Sequence, residues 1–173
     1  AQLDKLTMMV EKLLETATLD GDDLALNKEE INLNEILENL VQKHQTLAPD
    51  KSIRFTALRE NNWFLGDAFH LDNALNNLLD NAVKYGGDTI EVTLNSRNGS
   101  YRILVSDSGT SLSKAEAKQI FEKFYRVPKG NTHDVKGFGI GLYYTQKIIE
   151  KHGGSIDVSV TSQTTFKIDL PNA

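Results

Sequence analysis

The sequence predicts an α+β domain in which a mixed, mostly antiparallel sheet carries helices on one face, with a helical segment in front of it. Two patterns support this prediction. Short runs of alternating apolar and polar residues occur as hairpin-like pairs, and three longer segments with helical periodicity lie between them. The 173 residues are enough for one domain with a substantial core.

Composition and charge exclude several classes of function. Nineteen basic against twenty-four acidic side chains give a net charge of −5, which disfavours binding to a nucleic-acid backbone. The chain has no cysteine, so disulfides, thiol nucleophiles and thiolate metal sites are excluded. No apolar run approaches the roughly 20 residues that a membrane-spanning helix needs.

The first element is a helical segment with apolar residues at alternating spacings of three and four. These residues are Leu3, Leu6, Val10, Leu13 and Ala17. The pattern is typical of a coiled coil or helix bundle, although an amphipathic helix folded onto its own domain would show it too. Because residues 20–23 read Asp-Gly-Asp-Asp, we place a domain boundary there, with a helical segment over 1–22 and a folded domain over 23–173.

Three long helices follow. They are expected over residues 33–48, 67–85 and 139–152. The first begins after the cap-forming Asn32 and stops before Pro49. The second is capped by Asp67 and closed by Gly86 and Gly87, and the third ends at Gly153.

Strands fill the intervals between these helices. They are expected over residues 52–58, 62–66, 89–95, 101–107, 155–160 and 165–170. Residues 96–100 would connect one hairpin. Ser113 and Glu116 predict a short helix inside the long polar stretch 108–137, where Phe121, Phe124 and Tyr125 would anchor the loop.

The helix predicted over 67–85 has an unusual polar side. Its apolar side consists of Leu71, Leu75, Leu78, Leu79 and Ala82, which is ordinary core packing. Its other side carries Asn73, Asn77, Asn81 and Lys84. Asparagine is a mediocre helix former, so this strip favours contact with a polyphosphate and a cation over a merely solvated surface, which is the alternative.

Two further motifs surround this helix in the sequence. An apolar strand ends at Asp107, and Gly109 follows two residues later, so a carboxylate could accept from an amino group in a recess. Gly137, Gly139 and Gly141 precede the last helix, where free backbone amides suit phosphate oxygens. A common turn and a flexible hinge are the respective alternatives.

Taken in order, the segments NLLDNAVKYG, DSG, FEKFYR and GFGIGL resemble the N, G1, F and G2 boxes of sensor histidine kinases. These boxes belong to the catalytic ATP-binding domain of that family, which has the two-layer Bergerat (GHKL) fold. The likeness covers about residues 31–171. The first helix resembles the end of the second dimerisation helix.

The resemblance implies a role for each matching residue. Asn81 would bind Mg²⁺, with Asn77 one turn before it, Lys84 on phosphate and Tyr85 along the nucleoside. Asp107 would accept from the adenine amino group beside Gly109, and Arg126 would reach in from the loop. Gly137, Gly139 and Gly141 would line the phosphates, and the nucleotide site would also include Ile140 and Leu142.

The implied function is transfer of the γ-phosphoryl group of ATP to a histidine in an upstream dimerisation domain, as part of two-component signalling. The implied partners are ATP, that domain, a response-regulator receiver domain and a second copy of the full-length protein, without nucleic acid. We expect a cytoplasmic location and leave membrane anchoring of a longer parent open.

Two departures from the family pattern matter. Ser111 stands where the G1 box usually has a second glycine. The phosphoacceptor histidine is absent, so we expect a fragment and interpret His44, His70, His133 and His152 as surface or structural residues.

Two alternative functions remain. One is an ATP hydrolase of the same fold, which would carry a glutamate where this chain has Asn77, an amide that is no general base. The other is a degenerate nucleotide-binding regulatory module, which Ser111 favours.

Overall fold

The computed structural model describes residues 25–109, 113–122 and 141–172. Its strands are β1 (Glu29–Asn32), β2 (Ser52–Ala57), β3 (Trp63–Gly66), β4 (Thr89–Arg97), β5 (Ser100–Asp107), β6 (Ser155–Val160) and β7 (Thr164–Pro171). Its helices are α1 (Leu33–Leu47), α2 (Ala68–Tyr85), α3 (Lys114–Ala117) and α4 (Gly141–Lys151). The helical segment predicted over 1–22, and with it the proposed domain boundary, lies outside the described residues.

Five strands form the main sheet in the order β2-β4-β5-β7-β6. Every neighbouring pair is antiparallel except β2 and β4, which run parallel. The central register places Val105 of β5 between Val92 of β4 and Phe166 of β7. The predicted mixed, mostly antiparallel sheet is therefore confirmed.

The helices lie on one face of this sheet, as predicted. Alternate residues of β4 and β7 are buried, whereas their neighbours on the other face are polar. The apolar side of α2 is also buried, and it closes the core against α4 and α1. Full burial of a leucine stabilises the fold by about 1.5–3 kcal/mol, so the five apolar residues predicted on α2 are a major part of the core.

Strand pairing departs from the prediction in three places. The sequence gives no alternating run for β1, which pairs with β3 in a separate two-stranded sheet. β2 and β3 therefore form no hairpin with each other. The connection expected over 96–100 is only a two-residue turn at Asn98 and Gly99, which have φ of 51° and 78°. A turn with two positive φ angles matches the twist of a hairpin, so both strands extend further than expected.

The helix ends follow the capping residues that the sequence predicts. The side chain of Asn32 accepts from the amide of Asn34, and that of Asp67 accepts from the amide of His70. Ser113 and Glu116 form the two reciprocal bonds of a capping box at α3. No described helix is long and apolar enough to cross a membrane.

Three of the four histidines lie in packed positions between elements. Nε2 of His44 lies 2.9 Å from Oδ1 of Asn76, and Nδ1 of His70 lies 2.8 Å from the hydroxyl oxygen of Tyr144. His152 accepts at Nε2 from the amide of Asp67 at 3.0 Å, and its Nδ1 donates to Ile148 O at 2.8 Å. His133 lies outside the described residues.

Candidate functional site

The end of β5 and the end of α2 meet on one side of the domain. Asp107 is the last residue of β5, and its side chain is buried at 6% exposure. Oδ1 accepts from the amide of Gly109 at 2.8 Å. Burial raises the pKa of this carboxyl group. The backbone amides of Gly109 and Gly87 and the positive charge of Lys51 lower it, and they offset only part of the rise. An acceptor is thus held, buried, beside Gly86, Gly87 and Gly109, and we call these four residues the recess.

Three glycines form the wall of this recess because no side chain would fit there. A Cβ on Gly86 would lie 2.7 Å from Cγ of Asp107, and one on Gly87 would lie 2.2 Å from Oγ of Ser108. A Cβ on Gly109 would lie 2.8 Å from the nitrogen of Gly87. Backbone therefore packs directly on backbone beside the carboxylate, and any side chain at these three positions would push the segments apart.

Two residues of this region were missed by the sequence analysis. Nζ of Lys51 lies 3.1 Å from Gly87 O and 3.5 Å from Gly86 O. The hydroxyl of the buried Thr164 donates to Gly109 O at 3.5 Å. Both lie outside the recognisable motifs, on elements that only the tertiary fold brings to Asp107. No local signal in the sequence could have identified them.

The polar strip of α2 leads away from the recess. Asn73, Asn77 and Asn81 are half-buried, and Lys84 is exposed. Lys84 forms an ion pair with Asp80 at 2.8 Å, one turn back on the same helix. Asn81 lies five residues before Gly86, or about 7.5 Å along the helix axis.

The far end of the strip meets the start of α4. Nδ2 of Asn77 donates to Gly141 O at 3.4 Å, and the hydroxyl of Thr145 donates to Ala74 O at 2.9 Å and to Gly141 O at 3.0 Å. These bonds fix the N-terminus of α4 against α2. Backbone amides in the first turn of a helix have no intrahelical partner, so this end is suited to anions.

The structure brings together most of the predicted site residues that it describes. Asn77, Asn81, Lys84 and Tyr85 lie on α2, Gly141 lies at the contact of α4 with α2, and Asp107 and Gly109 lie at the end of α2. Leu142 packs against the core and is half-buried. Other predicted residues lie outside the described part of the chain: Ser111, Phe124, Tyr125, Arg126, Gly137, Gly139 and Ile140.

The donor set along α2 suits a cation that retains water and phosphate ligands. Among the described residues, no group of three or more histidine, aspartate or glutamate side chains is placed to hold a metal. Mg²⁺ is commonly bound by one or two protein oxygens together with substrate phosphates and water. The single amide oxygen of Asn81, on a half-buried helix face, fits that mode of binding.

Comparison with known proteins identifies the family. Residues 66–173 match the family model described as "Histidine kinase-, DNA gyrase B-, and HSP90-like ATPase". The chain belongs to this family. This match and two relatives that are sensor proteins together confirm the resemblance to the catalytic domain of sensor histidine kinases.

Two curated relatives are sensor proteins. RprX of Bacteroides fragilis is 35% identical over 96% of this chain, and SrrB of Staphylococcus aureus is 34% identical over 96%. The matched segments are 34% of RprX and 30% of SrrB, so the chain spans about a third of the length of these relatives.

Solved structures show the same fold at lower sequence identity. The full-length histidine kinase ShkA, crystallised with AMPPNP, superposes with a TM-score of 0.85 at 22% identity, over 98% of this chain and 36% of that one. The Acinetobacter baumannii histidine kinase AdeS gives a TM-score of 0.80 at 18% identity, over 99% and 80%. The predicted Bergerat fold is confirmed.

Proposed function

We propose that this chain binds ATP with Mg²⁺ and transfers the γ-phosphoryl group to a histidine of a dimerisation domain upstream of it. The observation that carries the proposal is the buried carboxylate of Asp107, held in a glycine-walled recess at the end of a helix whose exposed side carries amides and an ammonium group. This combination joins a buried acceptor to a strip of polar side chains, and we call that strip the groove.

The recess would recognise the base. Asp107 would accept from the adenine amino group, because a carboxylate offers only acceptors to that donor. Gly109 and the Gly86–Gly87 backbone would face the ring, and Tyr85, half-buried on the last turn of α2, would lie along the nucleoside.

The phosphates would extend along α2 toward α4. From Gly86 to Asn77 the helix rises about 13 Å, and the N-terminus of α4 lies at the far end of that span. Lys84 would contact phosphate oxygens, and the amide of Gly141 and its neighbours would donate to the terminal phosphate. We also assign Gly137, Gly139, Ile140, Leu142 and Arg126 to this groove, on the family motif.

Asn81 would provide the protein ligand for Mg²⁺, with Asn77 as its polar neighbour one turn earlier. When bound, the ion supplies neutralisation of phosphate charge. Phosphoryl transfer depends chiefly on positioning and charge stabilisation, and the residues of this groove provide positioning by hydrogen bonds and charge stabilisation by Lys84 and Arg126.

Transfer to a protein histidine is favoured over efficient hydrolysis. A hydrolase needs a group that removes a proton from water, and the amide of Asn77 donates to Gly141 O at 3.4 Å instead of serving as a base. We therefore assign slow ATP turnover to the isolated chain. The assembly would be a homodimer through the upstream domain, and the phosphoryl group would pass on to a response-regulator receiver domain.

Two of the similar solved structures contain such partners. ThkA was crystallised in complex with the response regulator protein TrrA, and ShkA with AMPPNP. Both complexes concern those proteins, and the assignment to this chain rests on the shared family and on the groove.

The test is phosphoryl transfer in trans. The chain is mixed with the dimerisation domain of its parent, ATP labelled at the γ-position and Mg²⁺, and the protein is assayed for acid-labile, base-stable phosphate. Label on the acceptor histidine supports the proposal. Tight nucleotide binding without transfer would favour a regulatory module, and rapid release of inorganic phosphate by the chain alone would favour a hydrolase.

A further inference from the structure

Lys51 contacts the recess from outside every motif that defines it. It is the last residue of the connection between α1 and β2. The amide of Ser52, the first residue of β2, donates to Asp88 O at 2.8 Å. That bond and the parallel pairing of β2 with β4 fix the connection beside the end of α2. From there the half-buried Lys51 side chain reaches Gly87 O at 3.1 Å and Gly86 O at 3.5 Å.

We propose that Lys51 is a positioning residue for recognition of the purine amino group, which it serves by holding the Gly86–Gly87 backbone against Asp107. The inference rests on the proposed function, because it assigns Asp107 to the base. It adds a specificity determinant that belongs to none of the four sequence boxes.

The geometry of one peptide unit explains the coupling. The carbonyl of Gly86 and the amide N–H of Gly87 belong to the same planar trans peptide, so they point in opposite directions. Nζ of Lys51 lies 3.5 Å from the carbonyl oxygen, and the N–H of Gly87 lowers the pKa of the Asp107 carboxyl group, whose Cγ would lie only 2.7 Å from a Cβ on Gly86. An ammonium group on one side therefore fixes the direction of the donor on the other side.

The position of Lys51 at a helix end strengthens this effect. The last carbonyls of α2 lack intrahelical partners, and a cation near a helix C-terminus is favourable. Because both glycines lack side chains, this segment would otherwise be among the most conformationally free in the site. Lys51 thus restricts the backbone conformation of Gly86 and Gly87 beside Asp107.

The positive charge of Lys51 also favours the ionised form of Asp107, which is the form that accepts hydrogen bonds. Burial raises the pKa of Asp107, and the opposing influences are the amides of Gly109 and Gly87 and the positive charge of Lys51. Among the described residues, Lys51 is the charged side chain that acts on this carboxylate. The backbone bond from Ser52 of β2 to Asp88, just before β4, stabilises this region, and the hydroxyl of Thr164 of β7 donates to Gly109 O.

The test compares two ligands that differ only at the amino group. The complete chain is titrated with the triphosphate of adenosine and with the triphosphate of purine riboside, which lacks the 6-amino group, in the wild type, Lys51→Met, Lys51→Arg and Asp107→Asn. Lys167→Met on the other face of the sheet is the control for loss of one positive charge. Thermal unfolding of each variant shows whether it folds.

The expected result is loss of discrimination. A buried hydrogen bond to a charged acceptor corresponds to about a tenfold preference for the amino ligand, and Lys51→Met should reduce this preference by about fivefold, with Lys51→Arg restoring most of it. The affinity of Lys51→Met for the ligand without the amino group should change less than twofold. In Lys51→Met, the pH below which the amino ligand loses affinity should move upward, because the carboxylate loses a nearby positive charge.

Four outcomes would overturn the inference. An unchanged preference in Lys51→Met would overturn the inference but leave the proposed function standing, and an equal loss of affinity for both ligands would show that Lys51 acts on phosphate or on the fold. If wild type binds both ligands equally, or Asp107→Asn keeps the preference, the proposed role of Asp107 is wrong and the inference falls with it.

Discussion

The amide of Gly109 donates to Oδ1 of Asp107 at 2.8 Å, across two residues at the end of β5. The bond holds a buried carboxylate at the end of β5, the central strand of the sheet, and burial raises the pKa of this carboxyl group. A raised carboxyl pKa means that folding favours the protonated form, so the ionised form costs stability as pH rises through the folded pKa. A carboxyl group whose pKa is shifted by burial is typical of binding and catalytic sites.

Asp107→Asn should weaken nucleotide binding while leaving the free energy of unfolding nearly unchanged. The amide oxygen of asparagine can still accept from Gly109, but its charge is gone and its amide nitrogen would face the purine amino group, so affinity for adenine nucleotide should fall by at least about tenfold. The free energy of unfolding at pH 7 should stay within about 1 kcal/mol of the wild type, since the buried charge is removed. Calorimetric titration and denaturant unfolding measure the two quantities.

The matched control is Asp157→Asn on the exposed side of β6, which removes one carboxylate and should leave affinity unchanged. Unaltered nucleotide affinity in Asp107→Asn would show that this carboxylate does not contact the base.

Asn81→Ala should remove the part of nucleotide affinity that depends on Mg²⁺. An amide oxygen is the protein ligand assigned to the ion, so binding measured with Mg²⁺ should weaken by roughly tenfold, whereas binding measured with a chelator should change little. Asn73→Ala, two turns earlier on the same face, is the control and should preserve the magnesium dependence. An equal loss with and without the ion would place Asn81 on the nucleotide itself.

His152 predicts a pH dependence of stability. Burial lowers the pKa of His152 from its ordinary value, and the hydrogen bond to Ile148 O offsets part of this effect. Its Nε2 must be unprotonated to accept from the amide of Asp67. Its contribution is therefore complete above pH 6.5 and is lost as pH falls toward the folded pKa, with a slope of at most about 1.4 kcal/mol per pH unit. Denaturant unfolding between pH 7.5 and about 5 measures the slope.

His152→Gln supplies the comparison for that titration. The variant should be less stable at pH 7.5, because one buried bond is lost, but its stability should vary less with pH over the same interval. Parallel pH profiles for the two proteins would show that another group titrates there.

The sequence predicted the elements whose signals are local. The caps at Asn32 and Asp67, the capping box at Ser113 and the apolar side of α2 all depend on residues within a few positions of each other, and each is present in the structure. The acceptor at Asp107 was also predictable, because an apolar strand that ends in a carboxylate places that group at the sheet edge.

The missed features depend on long-range pairing. β1 is four residues long with two exposed positions, and it is a strand because it pairs with β3, more than thirty residues away. Lys51 reaches Gly86 and Gly87 across thirty-five and thirty-six positions. Periodicity carries no information at those separations, so neither the two-stranded sheet nor the cation behind the recess could be read from the sequence.

Two glycines of the site should respond oppositely to alanine. A Cβ on Gly87 would meet Oγ of Ser108 at 2.2 Å and backbone atoms of residues 108 and 109 at 2.9–3.0 Å, so Gly87→Ala must displace the wall of the recess. A Cβ on Gly141 would lie 3.7 Å from the side chain of Asn77, which is ordinary contact. Gly141→Ala should leave the free energy of unfolding unchanged or raise it by up to about 1 kcal/mol, because alanine favours the helical state.

Gly87→Ala should lower the free energy of unfolding by about 1–3 kcal/mol and abolish the preference for an amino-bearing purine. Denaturant unfolding together with titration of the two purine triphosphates measures both effects. If Gly87→Ala bound with wild-type selectivity, the close packing of this backbone on Ser108 and Gly109 would not be what shapes the recess.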